Sequence, residues 1–303
     1  MSGARPSGGR PVRAARPYGL SPATLRQIRW IAILAAIVGT AIGLNTLVLH
    51  LTTDPLADVH AYYDAGARLN AGLPLYDQSA GVNDPTFYRY PPLLAILFRP
   101  LALLPFEAAA AIWMAVLLAA SVATLWRLGR SMPVLLALGM LAMPVIWTLV
   151  IGQAQALVTV LLSFGSPVAV AAAGHLKLFP WLAAIYWVGR RDWRSLGRFG
   201  LAVVGLAVVQ LVLAPQATLD YLGFPGLDQV ETINNLSPYE VSPLLWGAFV
   251  IVGVLVVLRL APTRWGWAAA VALAVGGTPR LLAYQLSSLL AVFGGPRDDR
   301  TAH

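Results

Sequence analysis

The stretch Asp54–Pro92, DPLADVHAYYDAGARLNAGLPLYDQSAGVNDPTFYRYPP, decides how the rest of the chain is read. It holds five of the 13 acidic residues and lies between two long apolar runs. Polar chemistry needs carboxylates, hydroxyls and cations close together, and few other parts of the sequence offer them. The apolar flanks set its context. Across the chain 58% of residues are hydrophobic and 11% charged, whereas soluble domains carry about 25% charged residues. Several runs approach or exceed the ~18–20 residues that span a bilayer as a helix. A transmembrane barrel would instead show ~10-residue alternating segments. The fold class expected is an all-α polytopic membrane protein.

Working outward, residues 1–27 are rich in Pro, Gly and Arg and read as a disordered basic cytoplasmic N-terminus. The first span is expected from Ile28 to Leu51, with Gly39-x-x-x-Gly43 as a helix-packing pattern inside it. The positive-inside rule then places loop 52–90 outside. A second loop, 215–242, carries Asp220, Asp228, Glu231 and Glu240 with no Arg or Lys, which fits the same side. Arg190-Arg191-Asp192-Trp193-Arg194 marks a cytoplasmic turn, and 296–303 a cytoplasmic tail. Residues 28–295 are expected to form one transmembrane domain. Counting every short apolar run gives ten spans, the count expected here; treating Pro91–Leu104 and Gln153–Phe164 as re-entrant gives eight.

Composition also excludes. The net charge is +8, but the cations are spread over short loops between apolar spans, which does not make a nucleic-acid surface. All basic residues but Lys177 are Arg. There is no cysteine, and the four histidines lack metal-ligand spacing. No Asp-x-Asp pair is present, so neither metal nor cofactor is expected.

Within the quoted stretch, Asp54-Pro55 reads as a helix start, with Asp at the N-cap and Pro at the first helical position. Gly72, with Pro74 beyond it, reads as a stop. A short surface helix over 55–71 would put Asp58, Tyr62, Ala65 and Leu69 on one face. Asp64 and Arg68, four apart, would pair on another. Asp58 reads in two ways: a first-turn acid complementing the helix dipole, or a carboxylate at the bilayer edge conditioned to act as a general base.

The order of several short elements resembles one family. Asp58-x-x-x-Tyr62 is followed by Gly72-Leu73-Pro74-Leu75-Tyr76, Phe87-Tyr88-Arg89-Tyr90-Pro91-Pro92, and Pro100. Then come Gly152-Gln153-Ala154-Gln155, His175-Leu176-Lys177-Leu178-Phe179-Pro180 and Thr278-Pro279. Together they are similar to the polyprenol-phosphate-mannose-dependent mannosyltransferases of actinobacteria, glycosyltransferase family 87. Gln155 stands where the family usually has Asn. The resemblance implies a GT-C-like helical bundle in the plasma membrane, with an extracytoplasmic active site under the first loop. It implies a polyprenyl-phosphate sugar donor, a lipid-linked glycan acceptor, and inversion in one displacement.

Two parts must then come from the protein, a base for the acceptor hydroxyl and cations for the leaving phosphate. Asp58 is the expected base. Arg89 is the first choice for the phosphate, because a guanidinium pairs with it bidentately, and Lys177 the second. His60, Tyr62, Tyr90, Gln153, Gln155 and Arg280 complete the expected substrate-binding set. His60 could equally cap the loop, the glutamines could satisfy carbonyls at a helix break, and Lys177 could snorkel to an interface. Two rival classes stay open: a lipid carrier or flippase, whose broken helices this chain shares, and a shortened non-catalytic paralogue.

Overall fold

A computed structural model describes residues 21–77, 84, 87–223 and 235–296. Among these, every regular element is helical: α1 Pro22–Thr53, α2 Ala57–Asn70, α3 Pro92–Phe98, α4 Phe106–Leu128, α5 Met132–Met140, α6 Ala142–Val150 and α7 Gln155–Phe164. They continue as α8 Pro167–Leu176, α9 Ile185–Gly189, α10 Trp193–Leu213, α11 Pro215–Gly223, α12 Pro243–Leu260 and α13 Gly266–Gly276, with 3-10 segments at Phe179–Ala184 and Ala283–Phe293. The protein is a polytopic helical membrane protein.

Helix starts follow a simple local code. Ser21-Pro22, Ser166-Pro167 and Ser242-Pro243 each place Pro at the first helical position, where its missing N–H costs nothing. Each serine hydroxyl accepts from a first-turn amide, from Thr24, Ala169 and Leu244 respectively, at 3.1–3.2 Å. The helix from Pro22 overlaps the expected disordered terminus, so residues 22–27 are helical; residues 1–20 lie outside the described set.

Four helices, α1, α4, α10 and α12, are long and apolar enough to cross a bilayer; α5 and α6, bent by 62° at Leu141, make a fifth if taken as one span. α10 and α12 face the lipid: only 6% of the apolar window of each is buried within the protein, against 33% for α4. Pro91–Leu104 does not make a span. α3 has seven residues and ends at Arg99-Pro100, so it reaches only about 10 Å. α7 has ten residues, about 15 Å. Neither is a full crossing, which goes against the expected ten spans; among the described residues the long apolar crossings number four, or five with the bent pair. The cause lies in Pro100 and in the glycines flanking α7, Gly152 and Gly165, both in the left-handed region.

Gly39 and Gly43 pack as expected. A Cβ at Gly39 would lie 2.6 Å from the Gly139 carbonyl oxygen, and one at Gly43 2.9 Å from Ala142. The α5–α6 pair therefore runs beside α1, in the same direction. α7 runs back down α4: Trp113 near the start of α4 binds Gly152, and Arg127 near its end lies over Phe164. The chain thus reverses sharply at Gly152, with α6 arriving and α7 leaving.

α2 roofs this reversal. Its start differs from the sequence reading. Asp54 caps the end of α1, where its carboxylate pairs with His50 at 2.6 Å. Leu56 then takes a left-handed conformation (φ 59°) and α2 begins at Ala57. The first amides of α2 are satisfied from another helix: Leu56 N–H donates to Val150 O and Asp58 N–H to Ile151 O, both at 3.0 Å. The stop at Gly72 stands, with φ +69°. The Asp64–Arg68 pair does not form. Arg68 instead donates to the carbonyls of Pro74 and Asp77, tying the exit loop to α2. A guanidinium offers a fixed fork of donors, and two converging carbonyls use it more fully than one exposed carboxylate would.

Candidate active site

The site lies where α2 meets the α6–α7 reversal. Trp113, seven residues into α4, donates its indole N–H to Gly152 O at 2.8 Å. That puts the reversal about 10 Å from the Phe106 end of α4.

Asp58 projects from the first turn of α2 and is only partly accessible. Its Oδ1 accepts from Tyr90 Oη at 3.1 Å and from Gln153 Nε2 at 3.0 Å, and Tyr62 Oη lies 3.5 Å away. Gln153 ties the group together. Its Nε2 also donates to Tyr90 Oη at 2.9 Å, and its Oε1 accepts from Tyr62 Oη at 2.6 Å. The Ala154 amide donates to Tyr62 Oη at 3.3 Å. Gln153 is fully buried, and every polar atom of its amide is used. Among the described residues, no hydrogen bond reaches Asp58 Oδ2. One carboxylate oxygen is thus held in place and the other is left for a ligand.

Three cations share this space. Lys177 caps the end of α8, and its Nζ lies over the rings of Tyr90 (5.2 Å) and Tyr284 (4.7 Å). Among the described residues that buried ammonium has no hydrogen-bond partner; the two ring faces and the nearby Asp58 carboxylate meet its charge. Arg89 lies over the Phe87 ring at 5.5 Å. Arg280 stands in the turn between α13 and the last 3-10 segment. That turn is pinned by Asn235, whose side chain donates to Pro279 O and accepts from Leu281 N–H, both at 2.9 Å. Burial, then the Arg89 charge, lowers Arg280 to about 10. Burial pushes the Asp58 carboxyl up to about 6, against the pull of Lys177, the Tyr90 hydrogen bond and Arg89.

The structure therefore brings together Asp58, Tyr62, Arg89, Tyr90, Gln153, Lys177 and Arg280. His60 is elsewhere. It lies two residues from Asp58, on a different side of the helix, and its exposed ring stacks on Phe106 with centroids 3.8 Å apart. Gln155 is adjacent rather than central. Its Nε2 donates to Ser288 Oγ at 2.7 Å, its Oε1 is buried without a partner among the described residues, and it lines a cavity shared with Lys177, Thr278 and Ser288.

Sequence reasoning missed three positioning groups. Tyr284 is the second ring under Lys177. Asn235 sets the Arg280 turn. Gln210, the one polar side chain in the apolar stretch Phe199–Leu213 of α10, accepts from Leu93 N–H at 3.0 Å and donates to His175 Nδ1 at 2.7 Å, while His175 Nε2 bonds Val203 O. That chain links the Tyr90-Pro91-Pro92 corner to the helix that ends in Lys177. A polar residue isolated on an apolar span is the one signal that could have marked Gln210.

A cluster of one acid and three cations at a membrane-helix reversal can take a proton and hold an anion. Comparison with known proteins agrees in kind. A polyprenol-phosphate-mannose-dependent alpha-(1-2)-phosphatidylinositol pentamannoside mannosyltransferase of Mycolicibacterium smegmatis is 29% identical over 167 residues. That match covers 46% of this chain and 38% of the relative, so the chain spans well under half of its length. No solved structure matches. The profile of glycosyltransferase family 87 matches residues 87–294, which takes in Arg89, Gln153, Lys177 and Arg280 and leaves Asp58 just ahead of it. With over half of its length matched by that profile, the chain belongs to glycosyltransferase family 87.

Proposed function

We propose that this membrane glycosyltransferase moves a mannosyl or related residue from a polyprenyl-phosphate sugar to a lipid-linked glycan acceptor, with inversion, at the outer face of the plasma membrane. One observation carries the reading: Asp58, with one oxygen held and the other open, faces Lys177, Arg89 and Arg280 across the Tyr90 and Tyr284 rings. Inversion needs a base on one side of the anomeric carbon and charge compensation on the other. The acceptor hydroxyl loses its proton to Asp58 Oδ2 as its oxygen bonds C1. The C1–O bond to phosphate breaks, and the polyprenyl phosphate departs with that electron pair. Lys177 and Arg89 neutralise the charge that develops, and Arg280 stands behind them. Gln153 and Tyr90 keep Asp58 from rotating away. A carboxyl near pH 6 is ionised at neutral pH and remains a better base than an ordinary aspartate.

The test is transfer of radiolabelled mannose from a polyprenyl-phosphate donor to envelope glycolipids by the purified full chain. Labelled glycolipid made by wild type and absent with Asp58→Asn supports the reading. Donor moved across proteoliposome membranes without covalent product would make the chain a carrier.

A further inference from the structure

The opposite end of the bundle holds a second charged cavity, which the transfer reaction does not use. α4 links the two ends: Phe106 stacks on His60 near the site just described, and Arg127 lies 21 residues further along the same helix, about 30 Å away. There, a cleft of about 760 Å³ opens between the ends of α4, α7 and α9 and the starts of α8 and α10. Ligand pockets usually fall between about 300 and 1,000 Å³.

Four arginines line it: Arg127, Arg190, Arg194 and Arg198. Two are built into the wall. Arg127 donates to Gly295 O at 2.8 Å and lies over the Phe164 ring at 5.8 Å. Arg190 donates to Tyr186 Oη at 3.1 Å and lies over that ring at 5.4 Å. Arg194 and Arg198 are exposed, four residues apart on the first turns of α10. That placement is unfavourable twice over. Like charges at i and i+4 repel, and a helix N-terminus already carries partial positive charge. The one acid in the lining, Asp192, caps α10 by accepting from Ser195 N–H at 3.1 Å. Among the described residues, four guanidiniums and one carboxylate line the cleft, a surplus of positive charge that an anion would relieve.

The surroundings say what kind of anion. Phe164, Val168, Trp193 and Leu201 are exposed apolar side chains beside the cleft, and α10 continues from it as a lipid-facing helix. An occupant with a phosphate at the arginines and acyl chains along α10 meets both surfaces. A basic pocket between spans is the kind of site that takes an anionic headgroup, and guanidinium forks suit its phosphate.

We propose that this cleft binds the headgroup of an anionic phospholipid from the leaflet opposite the Asp58 site. The site is independent of sugar transfer and does not rest on it.

Native mass spectrometry on the full chain tests this, with phosphatidylglycerol and phosphatidylcholine of equal acyl length as probes. Wild type should retain phosphatidylglycerol at least roughly tenfold over phosphatidylcholine, and Arg194→Gln/Arg198→Gln should lose about tenfold of that retention. Arg259→Gln/Arg264→Gln, exposed cations elsewhere at the same end, should retain it fully. Should the first pair not purify, Arg198→Gln alone repeats the comparison. Equal retention of the two lipids would overturn the proposal, as would equal loss in the control pair. Displacement by millimolar glycerol phosphate would assign the cleft to a soluble phosphate instead.

Discussion

Val59 of α2 rests directly on Gly152: a Cβ placed on that glycine would come within 2.1 Å of Val59 Cγ2. Gly152 also has φ +72°, a conformation that costs a residue with a side chain about 1–2 kcal/mol. Gly152→Ala should therefore lower the melting temperature and abolish activity together, because relieving the clash lifts α2 and Asp58 with it. Gly72 is the control. Its φ is +69°, but nothing among the described residues lies within 4 Å of its Cβ position. Gly72→Ala should carry only the conformational cost and keep most activity, as thermal melts and initial rates on the two variants would establish.

Asp58→Asn should remove transfer without loosening the fold. The Asn carbonyl can still accept from Tyr90 and Gln153, while the base is gone. The stability effect has a definite sign. A carboxyl raised to about 6 stabilises the folded state below its unfolded pKa of about 4, and that contribution is lost as pH rises through 6. At pH 7.5 the wild type carries a charge that its surroundings disfavour, and the variant does not. The melting temperature of Asp58→Asn, relative to wild type, should be higher at pH 7.5 than at pH 4.5. A variant that melts far below wild type at both pH values would make Asp58 a structural residue.

The rate should rise with pH as Asp58 ionises. In kcat/KM, the acidic limb should have unit slope and an apparent pKa near 6. Lys177 pulls that value down, so Lys177→Met, which keeps the bulk and removes the charge, should move the limb to higher pH as well as weaken transfer. An unmoved limb would separate Lys177 from Asp58.

Arg89 separates fork from point charge. Loss of one charge-assisted contact to the leaving phosphate should cost roughly 1.5–3 kcal/mol, about ten- to a hundredfold in kcat/KM. Arg89→Ala should show the full loss, and Arg89→Lys only partial recovery. Unchanged donor KM and kcat in both would leave Arg89 as an interface anchor and pass the phosphate to Lys177.

The absence of cysteine makes sidedness simple to read. Single cysteines at Leu73 and Gln216, both exposed, should react with an impermeant maleimide in intact cells, and one at Arg194 only after permeabilisation. The reverse pattern would put the Asp58 site on the cytoplasmic side.

The residues that gather at the candidate site were legible because they are rare types in apolar surroundings. Asp58 and Tyr62 share a face at i, i+4 in any helix over this stretch. Lys177 is conspicuous as the sole lysine, and Gln153 as an amide in an apolar run. What escaped depends on the third dimension. α2 begins after Asp54 because Val150 and Ile151, nearly a hundred residues later, supply the carbonyls that its first amides need. Arg68 prefers loop carbonyls that only the folded exit loop brings near. Tyr284 and Asn235 look ordinary until packing sets one beneath Lys177 and the other under Pro279. Asp228 and Glu231, two of the acids that placed the second loop outside, lie outside the described residues.

The roof over Asp58 is bolted down. Two backbone hydrogen bonds from α2 to Val150 and Ile151, with Val59 seated on Gly152, join helix and reversal into one rigid piece. A hinged door would need its fastenings on one edge; further along α2, Gly66 packs against the Phe98 backbone and the Asn70 side chain donates to Arg99 O at 2.8 Å, so the far end is fastened too. With the proposed lipid-linked donor and acceptor, entry would then run sideways, from the plane of the bilayer and past the rim of α2, with Asp58 held still.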